Sequence, residues 1–398
     1  MDLQQASVPA DGARLVAVRL AGAAALDAVD RAWAAGAAVL PMDPRIDAGR
    51  GEQIATALGA AEIVDDGATR PLPNPVPVPL GTALVVRTSG TTGAARGVVL
   101  SHAALHHGVD ASLRRLGCTP DDRWLCVLPL HHVAGLLVVL RARALGTEPI
   151  VHPAFDPGAV AAATTATHVA LVPTMLHRLL DHGVDVARFG RILLGGAAAP
   201  AGLLERARDA GAHITTTYGM TETAGGCVYD GLPLDGVAAA VEPGGRILLA
   251  GPMLADGYRD GHALLPLTTD GWLRTSDLGR WDGGRLVVTG RDDDVVVTGG
   301  VNVSTTTVAA TLREHPQVAD AAVIGVDDRE WGQRLVAFVV AADPARPPAA
   351  EQLRTFVRAR VEPAGAPRDV VVVAALPRTA LGKVDRGALA RRAGQIRR

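Results

Sequence analysis

Lysine is almost absent from this chain. Of its 39 basic residues one is lysine, Lys383, and all the others are arginine. Lysine and arginine are not interchangeable where a compact charge on a flexible stem is needed, so Lys383 is the first residue to ask about. Aromatic residues make up only 3% of the chain, which argues against a stacking platform for single-stranded nucleic acid. A formal net charge of −2 argues against nucleic acid or another polyanion as the main partner. The three cysteines, Cys118, Cys126 and Cys227, show neither metal-ligand spacing nor an even set for disulfides, which suits a reducing cytoplasm. The opening Met-Asp-Leu-Gln-Gln lacks the basic and apolar segments of a signal peptide. The apolar run from Val133 to Leu140 stops at Arg141, well short of the roughly 20 residues a membrane span needs. The expectation is a cytoplasmic protein with no membrane span.

What is present is a chain of 398 residues, 48% hydrophobic, long enough for two or three domains with full cores. Apolar segments run from Leu15 to Leu20 and from Ala34 to Leu40, followed by the turn Pro41-Met-Asp-Pro44. Residues 46–60 read as helix and 62–64 as a short strand. Between Pro71 and Pro79 proline stands at every second position, which reads as an extended linker. From 83 to about 220 strands and helices alternate: strands at 83–87, 123–128, 148–152, 168–172, 190–194 and 213–217, helices at 101–116, 133–145, 157–166, 174–182 and 200–210. This alternation predicts an α/β fold with a doubly wound, mostly parallel sheet. Ligands of such sheets bind beyond the carboxyl ends of the strands. The loops at 88–96, 129–132, 195–199 and 218–224 are therefore expected to converge on one rim. After 225, glycine and turn residues with short strands at 245–250, 271–274 and 285–289 predict a small β-rich subdomain. From Val295 a compact α+β unit of about 100 residues follows, within the normal domain range. Its expected elements are strand 295–297, helix 305–314, strands 320–325 and 334–340, helix 349–360 and strand 369–374.

The densest chemistry lies at Arg87-Thr-Ser-Gly-Thr-Thr-Gly-Ala-Ala-Arg-Gly97. Glycines at 90, 93 and 97 let the backbone turn and approach a ligand closely. Consecutive N–H groups in such a turn, joined by the hydroxyls of Thr88, Ser89, Thr91 and Thr92, suit an anion. Arg96 adds positive charge, and Ser101 is placed to cap the following helix. No Gly-Lys-Ser/Thr follows at Walker spacing.

This loop resembles the signature loop of the acyl-adenylate-forming superfamily, which includes acyl-CoA synthetases, adenylation domains and luciferases. There it binds the β- and γ-phosphates of ATP, and the position of Arg96 is usually lysine. Further runs carry the same resemblance in the same order. Leu128-Pro-Leu-His-His-Val-Ala-Gly135 is similar to the family's acyl-pocket motif, with His132 lining the pocket and His131 the weaker candidate. Leu193-Leu-Gly-Gly-Ala-Ala-Ala-Pro200 resembles the loop facing adenine and the acyl group, through Gly195, Gly196 and Ala197. Thr216-Thr-Tyr-Gly-Met-Thr-Glu-Thr223 resembles the metal and nucleotide motif. Glu222 would hold Mg2+, Thr221 would meet the α-phosphate, and Tyr218 with Gly219 would lie by the adenine. Gly196, Met220 and Gly225 join His132 at the implied acyl site. A carboxylate with phosphate and water as companion ligands is what Mg2+ prefers.

In Thr275-Ser-Asp277 the resemblance assigns Asp277 to the ribose hydroxyls, with serine in place of the usual middle glycine. Gly290-Arg-Asp-Asp293 resembles the hinge, Arg291 reaching the nucleotide and Asp293 serving as pivot. Thr298-Gly-Gly300 resembles the CoA tunnel loop, through Gly299 and Gly300. The usual glutamate nearby is replaced in Ser304-Thr-Thr-Thr307. Pro377-Arg-Thr-Ala-Leu-Gly-Lys383-Val-Asp-Arg386 resembles the C-terminal catalytic loop, and its lysine is the chain's single one.

The resemblance divides the chain into an N-terminal adenylate-forming domain, 1–292, which looks shortened, and a small mobile C-terminal domain, 293–398. It implies an acid–thiol ligase that uses ATP, Mg2+ and coenzyme A on a small carboxylic acid, with a homodimer as an open alternative. The run from Tyr218 to Val237 narrows the resemblance to the CoA ligases of menaquinone biosynthesis, and o-succinylbenzoate to the implied acid. Other aryl- or acyl-CoA ligases of the superfamily remain as alternatives, as do amino-acid adenylating enzymes. So does an inactive adenylate-binding regulatory protein.

Overall fold

The computed structural model describes residues 6–7, 12–66, 68–88, 96–261, 263–298, 301–328, 330–361, 363–379 and 384–395. The chain forms two units. One comprises 1–240 with 248–274, the other 241–247 with 275–398.

The first unit is built on two sheets. The nine-stranded sheet runs in the order Ala6–Ser7, Ala263–Leu265, Gly257–Asp260, Arg96–Ser101, Thr82–Thr88, Ala38–Pro41, Leu15–Arg19, Glu62–Asp65, Ala68–Pro71. Its four strands between Thr82–Thr88 and Glu62–Asp65 are parallel, and the flanking strands are antiparallel. The seven-stranded sheet runs Leu232–Pro233, Gly225–Tyr229, Ile214–Met220, Arg191–Leu194, His168–Leu171, Trp124–Cys126, Ile150–Val151. Its last five strands are parallel.

Helices lie between and outside these sheets. Leu15 and Ala17 face one core, while Val16 and Val18 face the other, so the strand Leu15–Arg19 is buried on both sides. Strands of this kind read as continuous apolar runs. The helices Gly22–Ala34, His102–Leu116 and Val133–Ala144 share one core with both sheets. Val133–Ala144 is therefore apolar almost all round, as a helix packed on every face must be. Pro157–Ala162, Pro173–Asp181 and Ala201–Asp209 cover the far face of the seven-stranded sheet.

The fold class matches the expectation: an α/β N-terminal region followed by a small α+β unit. The expectation of a single sheet is corrected. The strand beginning at Thr82 belongs to one sheet and the five parallel strands from Trp124 onward to the other. After Thr88 the chain returns antiparallel as Arg96–Ser101, so a hairpin stands where strand-to-helix passage was expected. Ser101 caps the helix as expected, its Oγ accepting from the Ala104 N–H at 3.3 Å. The hairpin arises because Val98 to Leu100 alternate between the two apolar cores, a partnership no local pattern specifies.

The second unit contains, from Thr275 on, the hairpin of Leu273–Asp282 and Arg285–Arg291. Its larger sheet runs Val301–Ser304, Val295–Thr298, Gly332–Ala341, Val318–Asp328, with Asp369–Val372 parallel to Gly332–Ala341. Alternate residues serve opposite faces, as a pleated strand requires. Leu335, Ala337 and Val339 meet the helices Thr305–Arg313 and Ala350–Arg358, while Val336 and Phe338 meet Arg386–Gln395.

Candidate active site

In the seven-stranded sheet the chain passes from Trp124–Cys126 to Ile150–Val151 on one side, then to His168–Leu171 on the other. Such a reversal opens a crevice at the carboxyl end of the strand where it occurs. The run from Leu128 to His132 leaves that end, and His132 is the N-cap residue of the helix Val133–Ala144. The His131 and His132 rings lie 4.4 Å apart. Asp43 approaches from the early turn, its Oδ2 3.8 Å from His131 Nε2. The side chain and N–H of Arg45 hold the Asp43 carboxyl at about 2, so it stays ionised. Burial lowers the His131 pKa and keeps that ring neutral.

The Glu222 run sits on the neighbouring edge. The strand Ile214–Met220 continues three residues beyond its expected end, then turns through the 3-10 segment Thr221–Thr223 into Gly225–Tyr229. Tyr218, Gly219 and Met220 are therefore strand residues, held by antiparallel pairing to residues 225–228 with a bulge between Tyr218 and Gly219. Buried Thr223 closes the turn: its Oγ1 accepts from the Met220 N–H at 2.9 Å and donates to the Gly225 carbonyl at 2.7 Å. Gly225 has φ +90°, and a Cβ there would lie 2.3 Å from Leu137 Cδ1. Only glycine lets this turn press against the helix that His132 begins. At Gly195 a Cβ would lie 2.2 Å from Thr217 Oγ1, which seats the 195–199 loop directly on the same strand. Gly196 and Ala197 follow in that loop. The carboxyl ends of the parallel strands thus bring together His132, Gly195 to Ala197, and the run from Tyr218 to Gly225.

Glu222 is half-buried. Its Oε1 accepts a hydrogen bond from the Tyr258 hydroxyl at 3.0 Å, and its carbonyl accepts the Ala255 N–H at 2.8 Å. Burial, with the Glu222 charge beside it, raises the Tyr258 pKa, so the phenol remains a donor. Sequence reasoning missed Tyr258, which lies on the short strand Gly257–Asp260 among glycine and turn residues. Arg96 lies in the strand opposite Thr88, and its Nε donates to Asp260 Oδ2 at 3.1 Å.

In the second unit, Asp277 and Arg291 are directly cross-strand partners. The Arg291 guanidinium donates to Asp277 Oδ1 at 3.1 Å, and the Asp277 N–H donates to Thr275 Oγ1 at 3.0 Å. Buried Thr275 donates in turn to the Ile247 carbonyl at 2.8 Å. Arg246 is bonded to the Thr275 carbonyl at 2.7 Å and paired with Asp292. On the other side of Asp293, Arg386 pairs with Asp294 at 2.6 Å. The Ser304–Thr307 stretch, whose residue types depart from the family pattern, is a helix start. Ser304 Oγ accepts from the Thr307 N–H at 3.2 Å, and Thr305 Oγ1 donates to the Asp294 carbonyl at 2.8 Å.

Ser89, Gly90, Thr91, Thr92, Gly93, Gly299, Gly300 and Lys383, and the side chains of Thr88 and Asp293, lie outside the described residues. The loop that carries Lys383 is tied at its ends by the bridge between Arg378 and Val384 and by the Asp385 N–H to the Pro377 carbonyl at 2.8 Å.

Two further clusters have no place in this arrangement. Buried Arg141 donates to Ser112 Oγ at 2.9 Å and to the Tyr229 hydroxyl at 3.2 Å, tying two helices to the strand Gly225–Tyr229. Cys118, Asp122 and His168 offer ligand atoms within 4.8 Å of one another. Burial, with the Asp122 charge beside it, pushes the Cys118 thiol up to about 11, however, and a neutral thiol is a poor metal ligand. Among the described residues no helix is long and apolar enough to cross a membrane.

A two-sheet α/β unit with a motif-lined crevice, followed by a small α+β unit, defines an adenylate-forming enzyme. Residues 52–259 match the AMP-binding enzyme model and residues 307–383 the AMP-binding enzyme C-terminal domain. The chain belongs to the AMP-binding enzyme family. It is 42% identical over 324 residues to a probable 2-succinylbenzoate–CoA ligase of Mycobacterium tuberculosis, covering 78% of this chain and 84% of the relative. It is 33% identical to the 2-succinylbenzoate–CoA ligase of Bacillus licheniformis, covering 87% and 78%. Among solved structures it resembles o-succinylbenzoate CoA synthetase from Bacillus subtilis in complex with its acyl-adenylate intermediate. The TM-score there is 0.83 at 26% identity, over 96% of this chain and 88% of that one.

Proposed function

We propose that this chain is an ATP-dependent carboxylic acid–CoA ligase acting through an acyl-adenylate, with o-succinylbenzoate as its acid. The observation that carries this reading is the Tyr218–Gly225 turn. There Glu222 is held by a hydroxyl and a backbone contact, against the helix that His132 opens. The named relatives support the acid.

In the first half-reaction a carboxylate oxygen of the acid attacks the α-phosphorus of ATP, and pyrophosphate leaves with the electron pair of the broken P–O bond. In the second, the CoA sulfur attacks the acyl carbonyl, AMP leaves, and the thiol proton is released. Glu222 fits Mg2+: it is a single half-buried carboxylate, oriented through one oxygen, that leaves the remaining coordination to phosphate and water. The ion would neutralise phosphate charge. Thr221 would meet the α-phosphate, and Tyr218 with the 195–197 loop would bound the adenine. His132, Gly196, Met220 and Gly225 would bound the acyl group. The 88–93 hydroxyls and glycines with Arg96 would take the distal phosphates, and Asp277 with Arg291 the ribose. Gly299 and Gly300 would flank CoA. Lys383 would offset charge as the α-phosphate is attacked, and rotation of residues 293–398 about Asp293 would then clear the way for the thiol. Closure of this kind also keeps water from the adenylate.

The test is ATP–pyrophosphate exchange and CoA-dependent AMP release across a panel of acids. o-Succinylbenzoate is expected to exceed benzoate, fatty acids and amino acids by a wide margin. Equal turnover of a fatty or amino acid would remove the narrow assignment, and no exchange with any acid would favour an inactive adenylate-binding protein.

A further inference from the structure

The strand Gly257–Asp260 has no role in the motifs above, yet it touches two of their residues. Its side chains alternate, as strand geometry demands. Arg259 points into the core, fully buried, and donates to the carbonyls of Leu58 at 2.6 Å, Val76 at 2.6 Å and Pro77 at 2.9 Å. Tyr258 and Asp260 share the opposite face, and each reaches a predicted site residue: Tyr258 donates to Glu222 Oε1 at 3.0 Å, and Asp260 accepts from Arg96 Nε at 3.1 Å. The strand's register against Arg96–Ser101 places Tyr258 opposite Val98 and Asp260 opposite Arg96. Just before it, the Ala255 N–H donates to the Glu222 carbonyl at 2.8 Å, and the Asp256 N–H to the Val99 carbonyl at 2.9 Å. Glu222 is thus held at two points by one segment, main chain by Ala255 and carboxylate by Tyr258.

We propose that Tyr258 is a positioning residue for adenylation, orienting the Glu222 carboxylate toward Mg2+–nucleotide. This rests on the reading of Glu222 given above. A carboxylate on a three-bond stem otherwise samples several rotamers, and one hydrogen bond to a donor that is itself fixed removes that freedom. The anchored backbone of Arg259 supplies the fixity, because three carbonyl contacts prevent the strand from sliding along its neighbour. Phosphate-side geometry is set from the same strand, since Asp260 holds Arg96 two residues on.

The experiment is equilibrium binding of ATP by calorimetry, with and without Mg2+, for wild type and Tyr258→Phe. A hydrogen bond to a charged acceptor is worth enough to predict about a tenfold rise in the Mg2+ concentration that half-saturates the effect. Metal-free ATP affinity and the melting temperature should stay close to wild type. In a Glu222→Gln background, Tyr258→Phe should add less than about twofold, since its effect passes through that carboxylate. A Mg2+ titration superimposable on wild type overturns the proposal. So does an equal loss with and without metal, or a full additional effect in the Glu222→Gln background. No acid or CoA enters this measurement, so a wrong substrate assignment would show in the acid panel and leave this result intact.

Discussion

Asp277→Asn removes one charge from a carboxylate that the fold has already placed. Its side chain is 9% exposed, Oδ1 is held by Arg291 at 3.1 Å, and its N–H is fixed on Thr275 at 3.0 Å. Little reorganisation would be needed for it to take the role proposed for it, accepting the two ribose hydroxyls. Hydrogen bonds to a charged acceptor contribute about 1.5–3 kcal/mol, so ATP affinity should fall by roughly 10- to 100-fold, at about 1.4 kcal/mol per factor of ten. The folding cost should be small. Arg291 is 47% exposed and keeps its solvation, and a pair with one partner this open contributes about 0–1 kcal/mol. The assay is calorimetric binding of ATP against 2′,3′-dideoxy-ATP. Wild type should prefer ATP by the full factor, and the variant should lose most of that preference with nearly unchanged melting. An equal preference in both proteins would refute the assignment of Asp277 to the ribose. A collapse of melting would refute the argument that the charge serves the ligand rather than the fold.

Lys383→Ala should cost the adenylation half-reaction about 10²–10³-fold, the typical loss for a transition-state electrostatic contact, and leave transfer from preformed acyl-adenylate to CoA within a few-fold. Equal loss in both half-reactions, measured in single turnover, would sink the alternation of two assemblies. Full activity of Lys383→Arg would show the single lysine to be incidental. Arg259→Met should destabilise the protein by about 3 kcal/mol, because one buried and two half-buried carbonyls lose their donor. Thermal denaturation should register this as a drop of several degrees, and unchanged melting would mean that water replaces the guanidinium.

The elements legible in the sequence were those with strong local signals. The helices His102–Leu116, Val133–Ala144 and Pro173–Asp181 lie within a residue or two of expectation. Each has a cap, a proline start or a sustained apolar face, and each such signal lies within a few residues. The short strands Gly257–Asp260 and Ala263–Leu265 escaped because glycine, charge and proline surround them, and the outer partners that build them into the sheet, Arg96–Ser101 and Ala6–Ser7, lie far away in sequence. The strand extension to Met220 escaped for a related reason: Gly219 reads as a turn until Gly225–Tyr229 pairs with it.

The chain's chemistry was decided by its sequence alone. Hydroxyls and glycines in a short loop, one glutamate among threonines, one aspartate after a threonine and a single lysine are properties of residue type and order, and they survive any packing. Tertiary structure decided which of these meet. It split the alternating strands between two sheets, paired Arg96–Ser101 antiparallel to Thr82–Thr88, and brought Tyr258 to Glu222 and Asp260 to Arg96. The physical reason is that a strand's alternation states which side chains face together, but not which other strand supplies its hydrogen bonds. That choice is made by burial of both faces at once, across 36 residues of sequence for Tyr258 and Glu222 and 164 for Arg96 and Asp260.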